Sequence, residues 1–282
     1  MEPAVIIDFH AHLFPKAIRN SRENYFQDPG FRLLYDRPKA PMAGVDALLN
    51  SMNAHGVNRS VVFGFPWQDS GILSMHNDYI IEMVQKYPDR LTGFCCLNPR
   101  RPDAVNEACR CLDAGLSGIG ELAFYDSGLD APELTSLAPL MALCRLRNLP
   151  VLIHTNEPVG RNYPGKAPMT LAQIYSLVKR FSDNTLILAH WGGGLLFYHL
   201  LKNEFKSALK NVFFDTAASP YLYDPAIFSA AASIAGSEKI LFGSDFPLIG
   251  PEKYLSQIQQ SGLSLIDRSR ILGLNAARLL KL

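Results

Sequence analysis

Short runs of apolar, β-branched residues recur eight times along the chain, and a helical pattern separates each run from the next. The runs are continuous rather than alternating, which is typical of strands buried on both faces of a parallel sheet. The predicted strands are Val5–Phe9, Ser60–Phe65, Leu91–Leu97, Gly118–Ala123, Pro150–His154, Thr185–His190, Asn211–Asp215 and Lys239–Gly243. The predicted helices are Val45–Ala54, Asn77–Tyr87, Asp103–Ala114, Leu137–Arg147, Leu171–Phe181, Leu195–Leu209, Pro225–Ala235 and Pro251–Gln260, several of which stop at Gly or Pro.

Eight strands that alternate with eight helices predict a (β/α)₈ (TIM) barrel. The alternative, a doubly wound open sheet, would have fewer strands and usually a glycine-rich phosphate loop after the first one. Here Leu13-Phe14-Pro15 follows the first strand instead. The chain of 282 residues has a length typical of one such barrel, and we predict a single domain over residues 1–282.

Two stretches lie outside the repeat. Residues 13–44 form a long first βα loop, rich in polar and aromatic residues, which we expect to overhang the mouth of the barrel. Ser264–Leu282 follows the eighth unit, and we expect it to form one or two helices on the side of the barrel.

Active sites of this architecture lie at the C-terminal ends of the strands. Four of the seven histidines stand at such predicted ends, together with two carboxylates. An H-x-H pair alone would be weak evidence, but this nitrogen and oxygen set suits a divalent ion such as Zn²⁺, Mn²⁺ or Fe²⁺. The residues are His10, His12, Glu121, His154, His190 and Asp245, and Asp215 stands at the end of strand 7.

Strand alternation places Asp8, His10 and His12 on one face and directs Phe9 and Ala11 towards the helices. We expect Asp8 to lie one layer deeper and to support the site rather than bind the ion. Asp215 either anchors the structure or orients a substrate.

Composition and charge indicate which kinds of partner, such as nucleic acid or a membrane, are not expected. The net charge is +1 and no long run of Lys or Arg is present, so we expect no nucleic acid. No signal peptide and no apolar run of membrane-spanning length is visible, which predicts a cytoplasmic protein without a membrane partner. The five cysteines have neither zinc nor disulfide spacing, and we interpret them as reduced packing residues. The pattern leaves the oligomeric state open, a homodimer included.

Five motifs resemble the amidohydrolase superfamily, and its amidohydrolase-2 branch most closely. The resemblance covers nearly the whole chain and extends to a closing helix at Ile271–Leu279. The motifs are Asp8-Phe9-His10-Ala11-His12, Gly118-Ile119-Gly120-Glu121, Ile153-His154-Thr155, Leu188-Ala189-His190-Trp191-Gly192-Gly193 and Phe242-Gly243-Ser244-Asp245-Phe246-Pro247.

The resemblance implies a set of metal ligands. His10, His12 and Asp245 would bind a first ion, and His154 would join that ion or a second one. His190 would bind a second metal or contact the substrate. Strand 4 has no lysine that could bridge two ions as a carbamate; Glu121 stands there, similar to the bridging glutamate of TatD-type hydrolases. One or two ions, with zinc as the first choice, are therefore expected.

Hydrolysis of an amide, ester, lactone or phosphoester is the first functional prediction. A divalent ion would make water acidic enough to attack at neutral pH, with Asp245 as the acid–base group and His190 polarising the substrate oxygen. Glu121 favours this chemistry because it adds a second carboxylate. The alternative is a metal-dependent decarboxylase of an aromatic or unsaturated carboxylate, and a second alternative is a barrel that binds metal or ligand without turnover.

Candidate substrate contacts follow strands 2, 5 and 6. Asn156, Arg161 and Lys166 lie in the loop after strand 5, and the two cations suit a small anionic substrate, unless they are solvated loop charges. Trp67 and Trp191 follow strands 2 and 6 and would wall an apolar substrate, unless they pack in the core.

Overall fold

The computed structural model describes residues 5–202 and 204–282. Its eight strands pair in parallel, in one sheet of three and one of five. Isolated bridges from Cys95 to Ile119 and from Ala11 to Phe246 join the two sheets, which confirms the predicted barrel. The strands are Ile7–His12 (β1), Arg59–Phe63 (β2), Leu91–Gly93 (β3), Ile119–Leu122 (β4), Val151–Ile153 (β5), Leu186–Leu188 (β6), Val212–Asp215 (β7) and Ile240–Leu241 (β8).

Most strands are shorter than the apolar runs that predicted them, because the backbone stops hydrogen-bonding to the neighbouring strand before the apolar run ends. After β3, for example, the amide of Cys96 donates to Oδ1 of Asn77 rather than to a neighbouring strand. After β6, His190 adopts a left-handed conformation with φ of 55°, which a strand cannot contain. β1 differs in the other direction and continues through His12.

Helices follow each strand, as predicted, but some begin earlier than the apolar pattern suggested. The helix after β2 begins at Ser70 because Asp69 caps it by accepting from the amide of Ile72. The helices on the outside of the barrel are Val45–His55, Ser70–Lys86, Ala104–Asp113, Ala131–Arg147, Leu171–Arg180, Glu204–Ala208, Ile227–Ala235 and Pro251–Gln260, with short helical turns at Ala189–Gly192, Ser219–Leu222 and Ser237–Lys239.

The prediction of one continuous helix over Leu195–Leu209 was wrong. The segment contains a 3₁₀ helix at Leu195–Leu200 and an α-helix at Glu204–Ala208, with Leu201 extended between them. Leu196 and Phe205 are both buried. On one straight α-helix these two side chains would lie about half a turn apart, so a break is needed to bury both.

A β-bulge in β1 corrects the predicted facing of its side chains. The register with β2 shifts between Asp8 and Ala11. Phe9 packs with Ile7 and Phe63 in the apolar cluster inside the barrel, and not against the helices. Since the bulge adds one residue, Phe9 and His10 both face inward, and Asp8 faces the opposite side from Phe9.

The first βα loop is ordered into short helices. They are Lys16–Asn20, a 3₁₀ helix at Arg22–Tyr25, and Pro29–Tyr35. Asp28 caps the last of them at the amide of Phe31 and also accepts from the amide of Gln68, which ties the loop to the segment after β2. This places the end of the loop over the barrel mouth, as predicted.

The C-terminal segment was predicted on the side of the barrel, and this was wrong. It forms helices at Leu265–Ser269 and Asn275–Leu280, joined by a π-helical turn at Arg270–Leu274. Ala276 is buried in the cluster inside the barrel, and Asn275 donates to the carbonyl of Ile240 at the start of β8. The segment therefore covers the N-terminal end of the barrel, opposite the strand ends that form the site.

No described helix is long and apolar enough to cross a membrane. All five cysteines are free, and four of them are buried, which agrees with their interpretation as packing residues.

Candidate metal centre and substrate cavity

Four side-chain atoms converge where β1, β4 and β8 end. Nε2 of His10 lies 3.3 Å from Nε2 of His12, and Oδ1 of Asp245 lies 3.5 and 3.4 Å from these two nitrogens. Oε2 of Glu121 lies 3.8 and 3.7 Å from the same nitrogens. Ligands of a tetrahedral ion with bonds of about 2.0–2.1 Å are separated by roughly 3.3–3.4 Å, so the atoms of His10, His12 and Asp245 fit around one ion, and Glu121 lies slightly farther from both nitrogens.

The ring tautomers support this interpretation. Nδ1 of His10 faces Oδ2 of Asp215 at 2.8 Å, and Nδ1 of His12 faces the carbonyl of Gly64 at 3.3 Å. When both Nδ1 atoms carry the hydrogen, the two Nε2 atoms present lone pairs to each other. A cation between them satisfies both lone pairs.

Asp215 orients His10 and the chain around it. Its carboxylate is fully buried, and Oδ1 accepts from the amides of His190 and Ala217. Burial alone would lower the pKa of His10, but without an ion in the site the charges of Asp215 and Glu121 outweigh it and raise the pKa to about 10, so a bound ion would displace the hydrogen on Nε2. Of the two roles that the sequence left open for Asp215, the structure shows anchoring, because the carboxylate is occupied by protein groups.

Glu121 connects two sets of imidazoles. Its Oε2 faces the pair on β1, while Oε1 lies 3.1 Å from Nδ1 of His154 and 3.6 Å from Nε2 of His190. Burial would raise the pKa of Glu121, but the neighbouring His10 and His154 hold it well below its usual range. The carboxylate is therefore ionised and can bind a cation.

His154 differs from the other histidines because the protein uses both of its nitrogens. Nδ1 faces Glu121, and Nε2 lies 2.9 Å from the carbonyl of Gly165. The two candidate ligand groups in the described residues are His10, His12 and Asp245, and His10, Glu121 and His190. His154 belongs to neither group, so it supports Glu121 in this arrangement.

His190 and Asp245 both line the site. Nδ1 of His190 lies 3.0 Å from the carbonyl of Ala217, which leaves Nε2 facing the site. Burial opposes protonation of His190, but Glu121 and Asp245 raise its pKa to about 9. Burial would raise the pKa of Asp245, yet the imidazoles of His12 and His10 beside it lower the pKa to about 2.

Asp8 supports the loop that carries Asp245. It accepts from the amide of His10 and from the amide and hydroxyl of Ser244, so it joins the ends of β1 and β8. Burial raises the pKa of Asp8 to about 6, against the effect of its bonds to Ser244.

A cavity of about 850 Å³ opens above these residues. Five of its wall residues are tyrosines: Tyr35, Tyr125, Tyr163, Tyr221 and Tyr223. Its inner end is formed by His12, Glu121, His154, His190 and Asp245, and its mouth includes Arg37, Lys39, Glu157 and Arg161.

One of the five predicted substrate contacts lines this cavity, namely Arg161. Lys166 instead pairs with Glu157 at 3.2 Å and donates to loop carbonyls. Asn156 accepts from the amide of Ala167 and donates to its carbonyl, which closes the base of the same loop.

The two tryptophans are buried in the core, which was the alternative considered for them. Nε1 of Trp67 donates to His76, and Nε1 of Trp191 donates to the hydroxyl of Ser219. Neither tryptophan lines the cavity.

The sequence did not identify the tyrosines or Arg37. Tyr35 and Arg37 belong to the first βα loop, whose aromatic and polar composition was the available signal. Tyr125 follows β4 and packs in parallel with Phe65 at a centroid distance of 6.2 Å. Whether one face of the Tyr125 ring lines the cavity depends on the packing of segments that are distant in the sequence, so the sequence alone did not show it.

Comparisons with known proteins give a family match and the same fold. The family model described as "Amidohydrolase" matches residues 7–282. The gamma-resorcylate decarboxylase of Rhizobium sp. (strain MTP-10005) is 24% identical over 287 residues, which cover 84% of this chain and 87% of that protein.

Solved structures show the same fold. The 5-carboxyvanillate decarboxylase of Sphingomonas paucimobilis superposes with a TM-score of 0.78 at 16% identity, covering 99% of this chain and 100% of that one. A dihydroxybenzoic acid decarboxylase of Polaromonas sp. JS666, solved with bound manganese and the inhibitor 2-nitroresorcinol, superposes with a TM-score of 0.71 at 18% identity, covering 99% of this chain and 97% of that one.

Proposed function

Because the chain belongs to the amidohydrolase family, we propose that it is a metal-dependent decarboxylase of an aromatic carboxylate. The observation that carries the proposal is a ligand set for one ion at the inner end of a cavity walled by tyrosines. Flat aromatic walls suit an aromatic ring, and an ion at the end of the cavity suits the carboxylate attached to it.

Hydrolysis was preferred on sequence grounds because Glu121 was expected to activate water. In the structure, Oε2 of Glu121 faces the ligand nitrogens and Oε1 faces His154 and His190. This favours Glu121 as a member of the ligand set over a free base. The similarity to decarboxylases also supports the alternative rather than hydrolysis.

The residues divide the reaction between them. A bound divalent ion would supply the positive charge that fixes the substrate oxygens, and His10, His12, Glu121 and Asp245 would hold it. The bond between the carboxyl carbon and the ring breaks, its electron pair stays on the ring carbon, and CO₂ leaves. The ring carbon then takes a proton.

We assign proton delivery to Asp245 and His190. In the metal-free site Glu121 and Asp245 raise the pKa of His190 to about 9, which favours a proton on its ring, and the carboxylate of Asp245 can accept a proton and pass it on. Both side chains line the inner end of the cavity. Manganese and zinc both fit the nitrogen and oxygen ligands, and the relative solved with manganese favours testing that ion first.

The test compares CO₂ release with acid release. Protein loaded with manganese or zinc is assayed on hydroxybenzoates for CO₂, and on esters and lactones for acid. We expect CO₂ from at least one aromatic acid, and a loss of about 10²-fold or more in Asp245→Asn. Asp126→Asn, an exposed carboxylate paired with Arg100, is the matched control and should keep full activity. Acid release without CO₂ would support the hydrolase instead.

A further inference from the structure

The mouth of the cavity carries positive side chains that have no part in the proposed metal centre. Arg37, Lys39 and Arg161 line it, and none of the three side chains has a hydrogen-bond or ion-pair partner among residues 5–202 and 204–282. The carboxylate at this end, Glu157, is already paired with Lys166 and accepts from the hydroxyl of Tyr163. The mouth therefore presents three uncompensated positive charges.

Both loops that carry these cations are held in place through their backbones. Nη1 of Arg22 donates to the carbonyl of Arg37 at 3.3 Å and to that of Ala40 at 3.0 Å. In the other loop, Nζ of Lys166, only 10% exposed, donates to the carbonyl of Arg161 at 3.3 Å. The two arginines thus stand on fixed turns, which lowers the entropic cost of binding an anion between them.

The size of the cavity separates this mouth from the metal centre. About 850 Å³ is near the upper end of the range of roughly 300–1,000 Å³ found for pockets of drug-sized ligands. A single-ring acid bound at the metal would leave much of this space unfilled. The wall between the two ends consists largely of tyrosines, which favours an aromatic or otherwise flat middle section.

We propose that the substrate is an elongated aromatic acid with an anionic group at each end. One carboxylate faces the metal centre, and the second anionic group binds among Arg37, Lys39 and Arg161. The inference rests on the proposed function only for the end that reacts. It also gives the first βα loop a role, since this loop supplies two of the three cations.

Two probes that differ only in the distal charge test the inference. The metal-loaded protein is titrated calorimetrically with a biphenyl monocarboxylate and with the biphenyl dicarboxylate that has its carboxylates at opposite ends. We expect the dicarboxylate to bind at least about fivefold more tightly, as one exposed ion pair of roughly 1 kcal/mol would give, and the ratio to fall with added salt.

Variants then locate the effect. The ratio should approach one in the combined Arg37→Gln, Lys39→Gln and Arg161→Gln variant. It should stay unchanged in Arg145→Gln, because Arg145 is exposed at the end of the helix before β5, on the opposite face of the barrel. Equal affinity of the two probes, failure of both to bind, or a ratio that survives in the combined variant would each overturn the inference.

This readout separates the two proposals. Tighter binding of the dicarboxylate than of the monocarboxylate, without CO₂ release from any acid, would contradict the proposed decarboxylase function but not the proposed anion site. CO₂ release from single-ring acids, together with equal affinities for the two biphenyl probes, would contradict only the proposal of a second anionic group on the substrate.

Discussion

Oδ2 of Asp215 lies 2.8 Å from Nδ1 of His10, and both side chains are fully buried. The carboxylate fixes the hydrogen of His10 on Nδ1 and so leaves Nε2 free for a metal ion. The other oxygen of Asp215 accepts from the amide of His190. One carboxylate therefore sets both the tautomer of a proposed ligand, His10, and the position of the proposed acid–base residue, His190.

Asp215→Asn should weaken metal binding by about 10- to 100-fold, the usual effect of losing such a partner. The amide nitrogen of Asn would donate to Nδ1 of His10, which moves the ring hydrogen to Nε2 and blocks the ligand position. Competition with a chelating dye measures the affinity. Asp183→Asn, an exposed carboxylate 3.9 Å from Lys210, is the control, and equal affinities in the two variants would contradict this role.

We expect the protein to bind one divalent ion per chain. His12→Ala should reduce the bound metal far below one equivalent, because it removes one of the four converging atoms. His154→Ala should retain most of the metal, since the protein occupies both nitrogens of His154. Elemental analysis after gel filtration checks this prediction. Two equivalents in the wild type, or equal losses in both variants, would favour a two-metal site.

Gly193→Ala should destabilise the protein more than Gly194→Ala. Both residues have positive φ, 60° and 93°, so alanine is strained at each by roughly 1–2 kcal/mol. A Cβ at Gly193 would in addition overlap the carbonyl oxygen of Asn156, whereas at Gly194 the nearest atom is 3.8 Å away.

We expect a further loss of about 1–3 kcal/mol at position 193. Urea denaturation of both variants with the wild type measures the difference. Equal losses at the two positions would show that the loop yields to the added methyl group.

His76 should make stability fall in mild acid. Burial lowers its pKa from 6.5 to about 4, and the neutral ring accepts from Nε1 of Trp67 and donates to the carbonyl of Leu13. Between pH 6.5 and 4 the unfolded chain binds a proton that the folded protein does not bind. Stability is therefore lost as the pH falls through this window, by roughly 3 kcal/mol at pH 4.

His76→Gln removes this contribution while keeping one donor and one acceptor. Its free energy of unfolding should fall less steeply between pH 7 and 4 than that of the wild type, when both are measured by denaturant titration without metal. Parallel pH profiles would contradict the assignment.

The candidate ligand residues could be predicted from the sequence because a barrel brings the ends of its strands together whatever lies between them. His10, His12, Glu121 and Asp245 stand where apolar runs end, and the structure brings their side chains together. The break in the predicted helix Leu195–Leu209 could not be read from local apolarity, because it depends on which side chains the barrel buries.

The sequence by itself determined the eightfold βα repeat, the family and the residues at the strand ends, since periodicity and motif spacing are local properties of the chain. Only the tertiary structure decided how these residues are used. The bulge in β1 turned Asp8 away from the inside of the barrel, and residues far apart in the chain met at the cavity mouth, as Arg37 and Arg161 do. The partners of His10 and Lys166 likewise depend on long-range packing, because hydrogen bonds and ion pairs form between whichever groups the fold brings within reach.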